Sequence, residues 1–161
     1  MGGRESRVAV KLTTVPSDSS RTLPVPATFT QRPSGFAIPV KLLVCDDERV
    51  LRVLIRAALE PRGYSIVEAE NGVESVDRAR RERPDLIVLD MMMPGRSGLD
   101  VLAELRRDPH LVTTPVLMLS ARTQAGDRAA AARAGADRFL AKPFSPSELA
   151  SIVDELLEGG A

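Results

Sequence analysis

Cysteine and histidine each occur once in the 161 residues, as Cys45 and His110. A single thiol excludes a disulfide within the chain and makes a reducing, cytoplasmic compartment the expected setting. Cys45 closes an apolar run and reads as a small strand residue, not a reactive one. Long hydrophobic runs are missing as well: none approaches the ~18 residues that a membrane span needs, and the opening lacks the apolar block of a secretory signal. Nor is there an excess of charge of one sign. Lys and Arg number 22, Asp and Glu 22, so the molecule has no footprint for direct contact with nucleic acid or for an anionic membrane.

That balance conceals an asymmetry. Residues 1–40 carry five basic side chains against Glu5 and Asp18, and the remaining 121 residues carry seventeen against twenty acids. The first forty residues are rich in Ser, Thr and Pro and hold no sustained apolar period. Such a stretch buries too little surface to offset its ordering entropy, and a disordered N-terminal extension is expected. An Arg- and Ser-rich, acid-poor opening also resembles an organellar transit peptide or a start site placed too far upstream.

From Lys41 short apolar runs alternate with longer amphipathic ones. Strands are expected at 41–45, 64–69, 85–90, 115–120 and 138–141; the first, third and fourth are continuously apolar, as strands covered on both faces must be. Between them, Val50, Leu51, Leu54, Ile55, Ala58 and Leu59 form one helical stripe, and Leu149, Ile152, Val153, Leu156 and Leu157 another, both expected to pack on the sheet. Ser145 with Pro146 and Glu148, and Asn71 with Glu74, mark helix starts. Five strands alternating with five helices predict an α/β, doubly wound parallel sheet over 41–159, with strand order 2-1-3-4-5 and right-handed crossovers. No internal repeat is present.

In such a sheet ligands bind beyond the carboxyl ends of the strands. The residues there are Asp46 and Asp47 after the first strand, Asp90 after the third, Ser120 after the fourth and Lys142 after the fifth. Glu68 and Glu70, at the end of the second, belong to an expected edge strand and away from the cluster. Three crowded carboxylates raise one another's pKa unless a cation neutralises them, and hard oxygen donors suit Mg²⁺. With a metal present an ionised Asp can act as nucleophile on phosphorus, and a nearby ammonium and hydroxyl stabilise the transferring group. Taken singly, paired aspartates also serve as turn formers or helix caps, and a lysine before proline as a solvated loop residue; it is their joint placement that points to phosphoryl chemistry.

The segments "CDDE", "LDMMMPGRSG", "LSAR" and "AKPF", in that order at strand ends, closely resemble the receiver domain of bacterial response regulators, the CheY-like fold. The resemblance covers about residues 41–159, almost the whole of the expected folded part. It implies that Asp90 is the phosphoacceptor, that Asp46, Asp47, Asp90 and the Met92 backbone carbonyl hold Mg²⁺, and that Ser120 and Lys142 bind the phosphoryl group. It further implies a cis bond before Pro143 and a switch role for Phe139. The phosphoryl donor would be a sensor histidine kinase or phosphotransfer protein. Met92 and Arg122, two residues after Asp90 and Ser120, fall at positions that tune the lifetime of the phosphorylated state.

Met91, Met92 and Met93 read as loop and core filler, since thioether sulfur favours soft metals. His110 reads as a solvated loop residue, which makes the chain a poor candidate for a histidine kinase itself. Only "EGGA" follows the last helix, so output is expected through a surface. In the family that surface is the fourth helix, fifth strand and fifth helix, here about residues 126–157, which would bind a downstream target protein. The fourth helix, "GDRAAAARAGA", lacks a bulky core stripe, which suits an element that shifts or merely a good helix former. Asp127, Arg128 and Asp137 resemble dimerisation charges of receivers joined to winged-helix domains, but Ile152 replaces a further arginine, so a phosphorylation-dependent homodimer would be weak. Two other readings compete. A haloacid-dehalogenase-type phosphatase would need an acid where Met92 stands, and a constitutive scaffold would have lost an acidic or lysine site residue.

Overall fold

The computed structural model describes residues 29–31, 37–121 and 124–159. The expected disorder of residues 1–40 falls largely on 1–28 and 32–36, outside the described residues. Two three-residue strands lie within that stretch, Phe29–Gln31 and Ala37–Pro39, paired antiparallel with Thr30 opposite Ile38.

The sheet has five strands: β1 Lys41–Cys45, β2 Ser65–Ala69, β3 Leu86–Asp90, β4 Val116–Ser120 and β5 Arg138–Ala141. They are parallel throughout and run in the order β2-β1-β3-β4-β5. Every residue of β3 and β4 is buried, and all but the first of β1, because helices cover both faces. The edge strands β2 and β5 are only half-buried and carry the polar residues Glu68 and Arg138.

Alternation along the strands divides the core in two. Leu42, Val44, Val88, Leu117 and Leu119 face α1 (Arg49–Leu59) and α5 (Pro146–Gly159). Leu43, Cys45, Ile87, Leu89 and Met118 face α2 (Gly72–Glu82), α3 (Gly98–Leu105) and α4 (Ala125–Ala134). Two helices on one face and three on the other, joined through parallel strands, make the doubly wound architecture expected above.

The helix starts are held by the residues that marked them. Asn71 Oδ1 accepts from the Glu74 N–H at 2.8 Å and Ser145 Oγ from the Glu148 N–H at 3.1 Å. The Glu74 carboxylate returns to the N–H of Glu70, one residue before the cap, at 3.0 Å. Helix α4 ends at Gly135, whose φ of 104° is open to glycine at little cost, and Arg106 donates to the Gly135 carbonyl from Nε and from a terminal nitrogen. Within α4 only Ala131 is fully buried.

The stripe expected for α1 needs correction. Ile55 and Leu59 are buried, but Val50 is 73% and Leu54 48% exposed, and the third buried residue of the helix is Arg52. A guanidinium occupies a core-facing position because β1 and β2 present it with acceptors there.

Candidate functional site

Parallel strands place all their carboxyl ends on one rim, and β1, β3, β4 and β5 deliver Asp46, Asp90, Ser120 and Lys142 to it. Asp46, Asp90 and Ser120 are buried, whereas Asp47 is exposed at the mouth. Lys142 reaches inward: its Nζ lies 3.0 Å from Asp46 Oδ2 and 3.2 Å from Asp90 Oδ1, with Glu48 further out at 3.7 Å. Its own N–H donates to the Ser120 carbonyl at 2.7 Å, and the bond to Pro143 is cis. The lysine therefore ties the end of β5 to β4 through its backbone and to β1 and β3 through its side chain.

One ammonium does not balance the acids. Asp46, Asp47 and Asp90 each offer a carboxylate oxygen, all within 4.8 Å of one another. Burial pushes the Asp90 carboxyl up to about 6, the negative charge of Asp46 adds to the shift, and Lys142 and the Met92 N–H oppose it. Burial also raises Asp46, against the Glu48 N–H and Lys142. On Lys142 burial acts downward, but the hydrogen bond to Asp46 and the charge of Asp90 outweigh it and hold the ammonium above its usual value. A cluster that keeps an excess of negative charge in a buried, oxygen-only setting fits a hard divalent cation.

The backbone around Asp90 is closely packed. The Met91 N–H donates to the Leu119 carbonyl at 2.8 Å, and the Gly98 N–H to the Met91 carbonyl at 2.9 Å. A Cβ on Gly98 would fall 2.2 Å from the Asp90 carbonyl oxygen, so only glycine lets α3 start this close to the strand end. Met91 and Met93 are buried against the α2–α4 face, as filler should be, while Met92 is 51% exposed and its N–H faces Asp90 Oδ1 at 3.4 Å.

Phe139 lies on β5, half-buried, with the Arg128 guanidinium of α4 4.8 Å from its ring centre. Arg122 lies outside the described residues. His110 is exposed in the loop after α3. Of the charges marked for dimerisation, Asp137 is engaged within the chain by Arg106 and by the Val116 N–H. Sequence reasoning missed Glu48 and Arg52. Glu48 donates its N–H to Asp46 Oδ1 at 2.9 Å, and Arg52 donates to the Asp46 carbonyl at 2.8 Å. The signal for Arg52 was its spacing of three and seven from Ile55 and Leu59, which puts a cation on the buried face.

Residues 42–154 match the response regulator receiver domain family. Response regulator MprA of a Mycobacterium species is 42% identical over 120 residues, covering 74% of this chain and 51% of the relative. The transcriptional regulatory protein ResD of Bacillus subtilis is 42% identical over 117 residues, covering 73% and 48%. The chain thus spans about half the length of these curated relatives. Among solved structures, the chemotaxis protein CheY4 of Vibrio cholerae superposes with a TM-score of 0.70 at 29% identity, covering 73% of this chain and 98% of that one. The receiver domain of the Francisella response regulator 1452 gives 0.70 at 32%, covering 75% and 98%.

Proposed function

Since the chain belongs to the response regulator receiver domain family, we propose that it accepts a phosphoryl group on Asp90 and relays the change to a partner protein in a two-component pathway. The observation that carries this reading is the Lys142 ammonium shared between Asp46 and Asp90 at a buried strand-end rim. The donor is a phosphohistidine of a sensor kinase or phosphotransfer protein. A carboxylate oxygen of Asp90 attacks the phosphorus, the bond from phosphorus to the histidine nitrogen breaks, and the nitrogen keeps the electron pair.

Asp46, Asp47, Asp90 and the Met92 carbonyl would hold Mg²⁺. When bound, the ion offsets the repulsion between Asp90 and the incoming phosphoryl oxygens. The chain's own side chains do the rest. Lys142 leaves its carboxylate partners enough to pair with a phosphoryl oxygen, and the Ser120 hydroxyl binds another. The movement of Ser120 toward that oxygen is transmitted from β4 to Phe139 on β5 and to α4, which a single fully buried residue, Ala131, holds to the core. The α4-β5-α5 face then binds the target. Residues 41–159 form the domain that does this.

Incubating the protein with acetyl phosphate and Mg²⁺ and weighing it is expected to give a gain of about 80 Da, one added phosphoryl group. Asp90→Ala should remove the gain, and an adduct that survives this substitution would refute the assignment. Negligible turnover of a phosphomonoester is expected in the same buffer.

A further inference from the structure

Arg52 is the one arginine buried among the described residues, 7% exposed, and it sits on the first helix facing the core. A buried guanidinium is a costly way to fill a core position. Replacing such an ion pair with apolar residues is often neutral or stabilising, so folding stability alone does not account for it. Its contacts indicate another role. Nε donates to Glu68 Oε1 at 2.8 Å, a terminal nitrogen donates to the Asp46 backbone carbonyl at 2.8 Å, and Glu70 stands 3.7 Å away. Glu68 is gripped from its other side by Arg56 of the same helix. Glu68 thereby balances the buried charge and fixes the plane of the Arg52 fork.

Asp46 is consequently held at every polar group that can be directed. Its N–H donates to the Ala69 carbonyl at 3.1 Å, its carbonyl accepts from Arg52, Oδ1 accepts from the Glu48 N–H, and Oδ2 accepts from Lys142. Three of these restraints come from backbone or from the rim itself. Among the described residues Arg52 is the only side chain fixing the peptide plane that turns from β1 into the Asp46–Asp47 pair.

We propose that Arg52 is a positioning residue for the divalent-cation site: by locking the Asp46 carbonyl it presets the two neighbouring carboxylates for the metal. This deepens the phosphoacceptor reading and rests on it. Groups that orient metal ligands typically change affinity by about 10–100-fold when removed. Arg52 belongs to that group, whereas the Arg56–Glu68 pair supports it from a step further away.

The test compares wild type with Arg52→Met, which keeps the volume of the side chain without its hydrogen bonds, and with Arg52→Lys, which keeps the charge but replaces the fork with one nitrogen. Mg²⁺ affinity of the unphosphorylated protein is read by calorimetry, or Mn²⁺ affinity by electron paramagnetic resonance, and urea midpoints are read alongside. Arg52→Met is expected to weaken binding about tenfold and to lower the urea midpoint, because Glu68 and the Asp46 carbonyl each lose a donor, and Arg52→Lys to weaken binding by a smaller factor at a midpoint nearer wild type. Phosphorylation by acetyl phosphate should need correspondingly more Mg²⁺ for half-maximal rate yet approach the wild-type rate at saturation, a split that a merely structural defect would not produce. Wild-type affinity in either variant that is folded overturns the proposal, as does a loss of rate that saturating Mg²⁺ leaves untouched. If wild type itself takes no phosphoryl group, the phosphoacceptor reading fails whatever these affinities are; if wild type is modified and the variants bind metal equally well, only the role of Arg52 falls.

Discussion

Asp90 carries the clearest consequence at the scale of a single residue. Its carboxyl, ordinarily near 3.8, is pushed up to about 6 by burial and by Asp46. The folded state therefore holds this proton more tightly than the unfolded chain does. In metal-free buffer the contribution of Asp90 to stability falls as pH rises from about 4 to about 6, and stays at its lower level above. Asp90→Asn removes the penalty, so urea midpoints in EDTA should favour the variant at pH 7 and converge with wild type below pH 4; equal midpoints at pH 7 would show that no such penalty exists. Met92 bears on another property. Its side chain, 51% exposed two residues past Asp90, would on the proposed reading crowd the line along which water attacks an aspartyl phosphate. Met92→Asn is expected to shorten the half-life of the phosphoprotein several-fold, read as the decay of the mass adduct, and equal or slower decay would count against shielding.

Individual elements show where sequence reasoning carried and where it stopped. Strands β1, β3 and β4 were legible because a parallel strand buried on both faces has no solvent side and must be apolar throughout. The caps at Asn71 and Ser145 were legible because an orphan N–H needs a local acceptor. Helix α1 was misread at Val50, Leu54 and Arg52, since hydropathy assigns arginine outward and cannot know that Glu68 and the Asp46 carbonyl await it across the helix–strand gap. The rim acids and Lys142 could be placed from strand ends alone, but the bonds of Glu48 and Arg52 to Asp46 arise only from packing. Helix α3 supplies a further expectation. Gly98→Ala would drive a methyl group into the Asp90 carbonyl, so it should lower the urea midpoint and reduce phosphorylation together, at a cost of a few kcal/mol for overpacking, about 1–3.

Taken as a whole, the molecule separates its duties by end. The core lies between sheet and helices, while the buried acids Asp46 and Asp90 gather at the strand carboxyl ends, so a cation bound there adds to stability by mass action. Mg²⁺ at a hundredfold excess over its dissociation constant should raise the unfolding free energy by about 2.7 kcal/mol, an increment that Asp46→Asn ought to abolish. Among the described residues the buried apolar side chains begin at Val40, and a chain shortened to start at Ala37 is expected to keep its urea midpoint and its capacity for phosphorylation. The lone tyrosine gives this geography a practical use. Tyr64 precedes β2, at the amino ends of the strands, where its hydroxyl meets Asp154 of α5, and the chain has no tryptophan. Native ultraviolet emission thus originates at the pole opposite the rim acids: it reports on unfolding, and an optical reporter of the proposed switch has to be introduced by design, beside Phe139.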